Sequence, residues 1–338
     1  TTEELDDGVV QLATFPPIER VDARTAPEGD DGSQVLLHVT ERPRWTVGLG
    51  TRWGTDRGLE VLFDLSDSSL FGRGVNTNLR GIWGNENRRI ALLTGLPPPP
   101  GRRLSLGLVL SYEEEDLERA FEFDPLVREE RTRASLESGY ALTESSTVRA
   151  YLRVTRTHVF EIEPFDPDFP LDETFDILTV GSQYIRDRLD DPFDPRSGYY
   201  FAADLSRSTE LSEGEVDYLR SLLTGSLVLE PLAGWTWAQT LRIGVSDPMG
   251  GVLPPGRDAR FYAGGRASIR GFPLDSVGPE DFLGNPVGGG GLFLLNEELR
   301  IPVWRMVRVA VFADGGNVWK SWSDAALELA VGLSLIHI

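Results

Sequence analysis

The chain has 338 residues, 40% of them hydrophobic, with a formal net charge of −20 that argues against nucleic acid as a partner. It contains no cysteine and only three histidines, so it offers no disulfide framework, no thiolate chemistry and no ligand-spaced cluster for zinc. No run of about 18 apolar residues occurs, which excludes transmembrane helices but leaves membrane-crossing strands open, because half of each such strand faces a polar lumen.

The first residues, TTEELDDG, carry neither an initiator Met nor a secretory apolar stretch, and the chain is expected to begin inside a longer protein. Leu5, Val9, Leu12 and Phe15 then recur at helical spacing up to Pro16-Pro17. Ile18–Arg24 and Gln34–Thr40 read as two short strands joined by the turn-rich PEGDDGS. A helix and two strands over residues 1–42 make half of a small α+β module, too small to stand alone.

From Trp45 onward the pattern has period two. In Arg103–Glu113 one face carries Leu104, Leu106, Leu108, Leu110 and Tyr112, and the other carries Arg103, Ser105, Gly107 and Ser111. Val148–Thr157 and Trp235–Ser246 alternate in the same way. By this criterion about fourteen strands occur, centred near residues 48, 62, 79, 92, 108, 134, 152, 180, 203, 221, 240, 294, 310 and 329. Strands of ~9–11 residues with this repeat match a β-barrel crossing a bilayer at a tilt, whereas the strands of a soluble sandwich are usually ~5–6 residues long. Trp45, Trp53, Trp83, Tyr112, Tyr140, Trp235, Trp237 and Trp304 fall near strand ends, where an interfacial aromatic girdle would place them. Turns such as Asn85–Asn87 and Thr143–Ser145 are short, while Glu113–Asp124, Phe160–Asp172 and Pro248–Gly289 are long and acidic or rich in Gly and Pro. The acid run Glu113–Asp116 reads as a solvated loop tip. The Pro248–Gly289 connection is long enough to be either functional or disordered.

Few residues carry chemistry. Asp187, Asp190, Asp191 and Asp194 cluster in RDRLDDPFDPRSGYY, where a turn closed by Pro192, Pro195 and Gly198 explains them better than a cation site without calcium-loop spacing. Gly288–Gly291 lacks the Lys of a phosphate loop, no nucleophile-base arrangement appears, and no enzymatic activity is expected.

Arg270, in FYAGGRASIRGF, stands apart. Val307, Val309 and Val311 share one face, so Arg308, Phe312 and Asp314 share the other, which should be the lumen. In GLFLLNEELRIPV the polar face holds Asn296, Glu298 and Arg300, which leaves Glu297 toward lipid unless it lies near an interface or a bulge upsets the parity. If the loop folds back, Arg270 can fork to Asp314 and Glu298, with Gly264, Gly265 and Gly271 allowing close approach. On spacing alone, a surface turn capped by Arg270 is an equal reading.

FYAGGRASIRGF, the Glu298-containing strand ending at Pro302, and VAVFADGGNVW together resemble the BamA/TamA family of outer-membrane assembly factors, of the bacterial surface antigen type. The resemblance spans nearly the whole chain. It implies a sixteen-stranded antiparallel transmembrane β-barrel, about fourteen strands of which are present in residues 43–338. Residues 1–42 would be the end of the last POTRA domain, a periplasmic module. Arg270, Gly271 and Phe272 would form a loop tip in the lumen, after the eleventh strand, and Glu298 and Asp314 would be acids on the wall.

The resemblance further implies a bacterial outer-membrane location, the lipid bilayer and unfolded outer-membrane proteins as partners, and accessory periplasmic or lipoprotein subunits reached through POTRA. No cofactor is implied. Clients would enter through a lateral gate beside the first strand, Trp45–Trp53, by β-augmentation. DPFDPRSGYY recurs in the family and leans toward TamA. The family continues for two more strands and ends on an aromatic residue, whereas this chain ends in GLSLIHI; a truncated C-terminus with a foreign tail is expected. The alternative function is a polypeptide-secretion pore of the two-partner type, which shares the arginine-tip loop. A diffusion porin would give no reason for an inward arginine tip, and a soluble β-rich adhesin would partition into water rather than detergent.

Overall fold

The computed structural model describes residues 17–28, 32–54, 58–72, 74–85, 87–98, 102–116, 126–163, 172–211, 216–249, 258–281, 284, 286–304, 307–320 and 327–337. The helix expected over residues 5–15 lies outside them. Every described element is a strand: β1 (Ile18–Glu28), β2 (Gly32–Glu41), β3 (Trp45–Gly54), β4 (Gly58–Leu70), β5 (Val75–Trp83), β6 (Asn87–Leu96), β7 (Leu104–Asp116) and β8 (Leu126–Thr143). They continue with β9 (Ser146–Glu163), β10 (Asp172–Asp187), β11 (Gly198–Glu210), β12 (Asp217–Leu232), β13 (Trp235–Pro248), β14 (Gly291–Trp304), β15 (Val307–Trp319) and β16 (Glu328–His337). β1 and β2 pair as an antiparallel hairpin, and β3 to β16 form a 14-stranded sheet in sequence order. Each of the fourteen centres read from the alternation falls inside one of these strands.

The chain divides into two compact units, residues 1–113 with 132–140, and residues 114–131 with 141–338. In the first, β3 to β6 form a meander whose two faces differ in polarity. Val47, Leu49 and Trp53 on β3 and Leu59 and Val61 on β4 are exposed, while Glu60 on the opposite face is buried and paired with Arg52. On that polar face Asp64 accepts from Asn78 Nδ2 at 2.7 Å, from Ser66 Oγ at 3.0 Å and from Arg80 Nε at 3.1 Å.

The second unit repeats the contrast. Val180, Leu205, Leu223, Leu241 and Val311 are exposed on one face; on the other, Thr179 and Ser208 are buried and hydrogen-bonded at 2.8 Å. In each unit an exposed apolar face opposite a buried polar one inverts the arrangement of a water-soluble sheet. Parity holds through β14 and β15: Ala310 and Asp314 are buried and Val311 between them is exposed. The ladder is regular through Glu297, so no bulge turns that residue. Its carboxylate accepts from Trp237 Nε1 at 2.8 Å and from Gln239 on the neighbouring strand. The register shifts only after Pro302, which has no N–H to give the ladder.

Two expectations are corrected. The acids Glu113–Asp116 are not a loop tip but the end of β7, where Arg128 pairs with Glu114 at 3.1 Å and with Asp116 at 2.6 Å. The arginine on β8 offsets part of the run's charge where the two strands pair. Within the second unit, β10 and β11 are joined by residues 188–197 at the end where β8 and β9 are joined by the short turn at Thr143–Ser145, so length alternates less strictly than the sequence reading has it.

The segment 258–281 lies against the polar face of the second unit and brings an apolar core of its own. Phe261, Ala263, Ile269 and Val277 pack with Leu292, Leu294 and Val318, and Phe272 and Ala330 flank them. Phe261 rests on bare backbone: a Cβ at Gly244 of β13 would come within 2.5 Å of its ring. The bridge Ala263↔Val277 ties the segment to itself, and Phe261↔Gly289 ties it to the residues that lead into β14.

Candidate functional site

Burial of Ile269, the residue before Arg270, fixes where the arginine points. Ile269 has no exposed surface, and the polypeptide then turns through Gly271 at φ +93°. The start of the turn is organised by Ser268, whose Oγ accepts from Gly264 N–H at 2.8 Å and donates to Gly264 O at 2.7 Å. Gly265 N–H donates to Phe272 O at 2.9 Å, closing the loop around its tip. Gly264 and Gly265 sit at φ +114° and +81°, and a Cβ at Gly264 would stand 2.2 Å from Pro273 O. Only glycine fits there.

The arginine meets both acids. Its Nε donates to Asp314 Oδ2 at 2.7 Å and its Nη2 to Asp314 Oδ1 at 2.9 Å, a side-on fork. Its backbone N–H donates to the same Oδ2 at 3.0 Å. Its Nη1 donates to Glu298 Oε2 at 2.5 Å, and the other oxygen of Glu298 accepts from Arg300 Nε at 2.8 Å. The guanidinium carbon lies 3.6 Å from the centre of the Phe312 ring, so an aromatic face covers a plane the carboxylates leave free. The hydrogen bonds to Asp314, and after the opposing effect of burial those to Glu298, raise the pKa of Arg270 above its ordinary value. The charge is therefore fixed at every physiological pH, and the site is a permanent ionic clasp rather than a proton carrier.

Asp314 is fully covered by this arrangement, and its fourth donor is Asn296 Nδ2 at 2.9 Å. Asn296 Nδ2 also donates to Ser268 O at 2.6 Å, and Arg242 Nη2 donates to Ala267 O at 2.6 Å. Three strands thus grip the loop backbone, β13 through Arg242, β14 through Asn296 and β15 through Asp314, and the last two also hold its arginine. The structure brings Arg270, Glu298 and Asp314 into direct contact. Gly264 and Gly265 shape the loop, Gly271 follows the arginine, and Phe272 packs at the rim of the apolar core.

The alternation puts Asn296 and Phe312 on the polar faces of their strands without assigning them to the clasp, and the same parity in Trp235–Ser246 puts Arg242 opposite Leu241 and Ile243. Ser268 gives no such signal, since its contacts are backbone atoms of its own loop. The cluster Asp187–Asp194 forms the turn between β10 and β11: Asp190 Oδ1 accepts from Arg196 N–H at 2.9 Å and Ser197 N–H at 3.1 Å, and Asp191 Oδ1 from Phe193 N–H at 2.7 Å. Among the described residues no group of acids or histidines is placed to hold a metal ion.

Comparison with known proteins places this geometry. Residues 69–332 match the model of the Omp85 superfamily domain. The outer membrane protein assembly factor BamA of Neisseria meningitidis serogroup B is 23% identical over 320 residues, which cover 87% of this chain and 40% of that protein. In fold, the chain is similar to BamA from Haemophilus ducreyi lacking POTRA domains 1-3, with TM-score 0.78 and 18% identity over 99% of this chain and 72% of that one. It is also similar to CdiB from Escherichia coli, with TM-score 0.62 and 16% identity over 100% of this chain and 65% of that one.

Proposed function

The chain belongs to the Omp85 superfamily, and we propose that it is the membrane part of an outer-membrane insertion and assembly factor of the BamA/TamA kind. In this reading the 14-stranded sheet is most of a transmembrane β-barrel, its exposed apolar face meets lipid, and its polar face lines the lumen. Residues 1–42 close the last POTRA module on the periplasmic side, where accessory subunits would bind. Clients are unfolded outer-membrane proteins, whose strands add to a weakly paired seam at the barrel edge. No catalytic step and no cofactor are needed, because the hydrophobic effect and strand pairing drive insertion once the bilayer barrier is lowered.

The observation that carries the reading is the clasp. A long connection packed onto the polar face, with Arg270 forked on a buried Asp314, fits an assembly factor or a secretion pore better than a pore built for steady diffusion, and the sequence similarity to an assembly factor favours the first. The fold likeness to CdiB is the reason for a second reading, a polypeptide-secretion pore. The test is reconstitution of the intact protein into liposomes, timing the folding of an added urea-denatured outer-membrane barrel by its heat-resistant gel mobility. Acceleration over empty liposomes supports the insertion factor. Ion conductance without acceleration selects the secretion pore.

A further inference from the structure

The turn between β10 and β11 does more than reverse the chain. Asp194 Oδ1 accepts from Arg308 Nη1 at 2.7 Å, a contact between residues 114 apart. Arg308 stands at the start of β15, on the face that carries Ala310, Phe312 and Asp314, and only 11% of its side chain is exposed. In the sheet β12, β13 and β14 separate β11 from β15, so the turn reaches over three strands on the polar face. It is built to hold that shape. Both oxygens of Asp190 are engaged, Oδ1 by the N–H groups of Asp191, Arg196 and Ser197 and Oδ2 by Ser197 Oγ at 3.2 Å. Asp191 Oδ1 holds the N–H groups of Phe193 and of Asp194 itself, at 2.7 and 2.9 Å. With their oxygens already taken by backbone donors, these aspartates organise the Asp194 carboxylate rather than a cation.

We propose that the Asp190–Ser197 turn is a strap that fixes β15 from the end opposite the Arg270 loop, with Asp194 and Arg308 as positioning residues. β15 is then pinned by ion pairs at two heights of one face, Arg308 by the strap and Asp314 by the loop, while β16 beyond it meets the loop through the apolar packing of Ala330. This places the boundary between the fixed wall and any moving seam between β15 and β16. The placement of the boundary rests on the insertion reading; the strap itself does not.

The test uses the intact protein in liposomes, with Asp194→Arg, Arg308→Asp and the doubly swapped variant. Hydrogen exchange of the β15 amides 308–314 should quicken roughly tenfold or more in each single variant, the loss of a hydrogen bond to a charged group. The double swap should recover most of the protection, which a merely misfolded turn would not. Exchange unchanged in the single variants, or no recovery in the double swap, overturns the strap.

A second arm guards against variants that fail to fold. The chain contains no cysteine, so Asp194→Cys with Arg308→Cys can be bridged by a bis-methanethiosulfonate linker. Client folding that persists after bridging supports a strap that stays closed, whereas folding abolished by the linker and restored by reductant overturns it. If the unaltered protein fails to accelerate client folding, the insertion reading falls, yet the exchange data still decide the strap.

Discussion

Arg270 and Asp314 lie 44 residues apart, and Asp314 receives from Arg270 two side-chain hydrogen bonds and one from its backbone N–H. A side chain that is both forked and back-bonded is fixed in direction as well as position. The docked loop depends on that pair beyond what its apolar core supplies.

Replacing Arg270 by Ala leaves a buried carboxylate without its counter-charge. The expected loss is about 3 kcal/mol of local stability, the range for removing one partner of a buried pair. Arg270→Lys keeps the charge but cannot fork, and should recover only part of the loss. Trypsin sensitivity at Arg260 and Arg266, both within the loop, measures the order: wild type most resistant, then Lys, then Ala.

Two glycines of the loop, Gly264 before the tip and Gly271 within it, should differ. Gly264→Ala forces a Cβ to 2.2 Å from Pro273 O as well as an unfavourable φ, whereas at Gly271 the nearest atom is 3.8 Å away, on Ala330. Gly271→Ala should cost on the order of 1–2 kcal/mol from φ alone, and Gly264→Ala clearly more. Thermal unfolding followed by heat-modifiable gel mobility ranks them, and equal losses would mean the loop shifts freely.

Asn296 is the least obvious member of the site. Asn296→Leu removes the donor shared by Asp314 and Ser268 O, and about 1–3 kcal/mol of loop stability should go with it. Asn296→Asp should be worse still, since it sets a second carboxylate beside Asp314. Loop hydrogen exchange is the readout.

The strap turn should be stable to acid well below neutrality. Hydrogen bonds from the Ser197 and then the Arg196 N–H lower the Asp190 pKa, and those from Asp194 and Phe193 lower that of Asp191. Groups with depressed folded pKa contribute stability that is complete above the unfolded value of about 4 and is lost as pH falls through the lower folded value. Amide protection factors of residues 193–197, corrected for intrinsic exchange, should therefore be flat from pH 7 to about 5 and fall only below about 4. A fall between pH 6 and 7 would mean another group holds the turn.

The sheet was legible because its signal is local: with side chains alternating every residue, Val311 and Asp314 announce their opposite faces within one strand. Strand ends were less so. β8 and β9 each run to 18 residues, past the bilayer-crossing length, because charged pairs such as Arg156 with Asp176 extend the ladder beyond the apolar stretch. The clasp was half legible. Parity set Asp314 and Glu298 on the inner face, but only the family resemblance chose between an inward and a surface arginine. Arg308 and Asp194 could not be paired, since nothing local tells a turn which distant strand it will reach.

The most direct measurement is a double-mutant cycle of Arg270→Ala and Asp314→Ala in the intact protein, read as the free energy of loop opening by hydrogen exchange. A coupling of about 2 kcal/mol or more is predicted, with each single variant nearly as damaging as the pair. Additive losses, with coupling near zero, would contradict the clasp and leave the loop held by its apolar core alone.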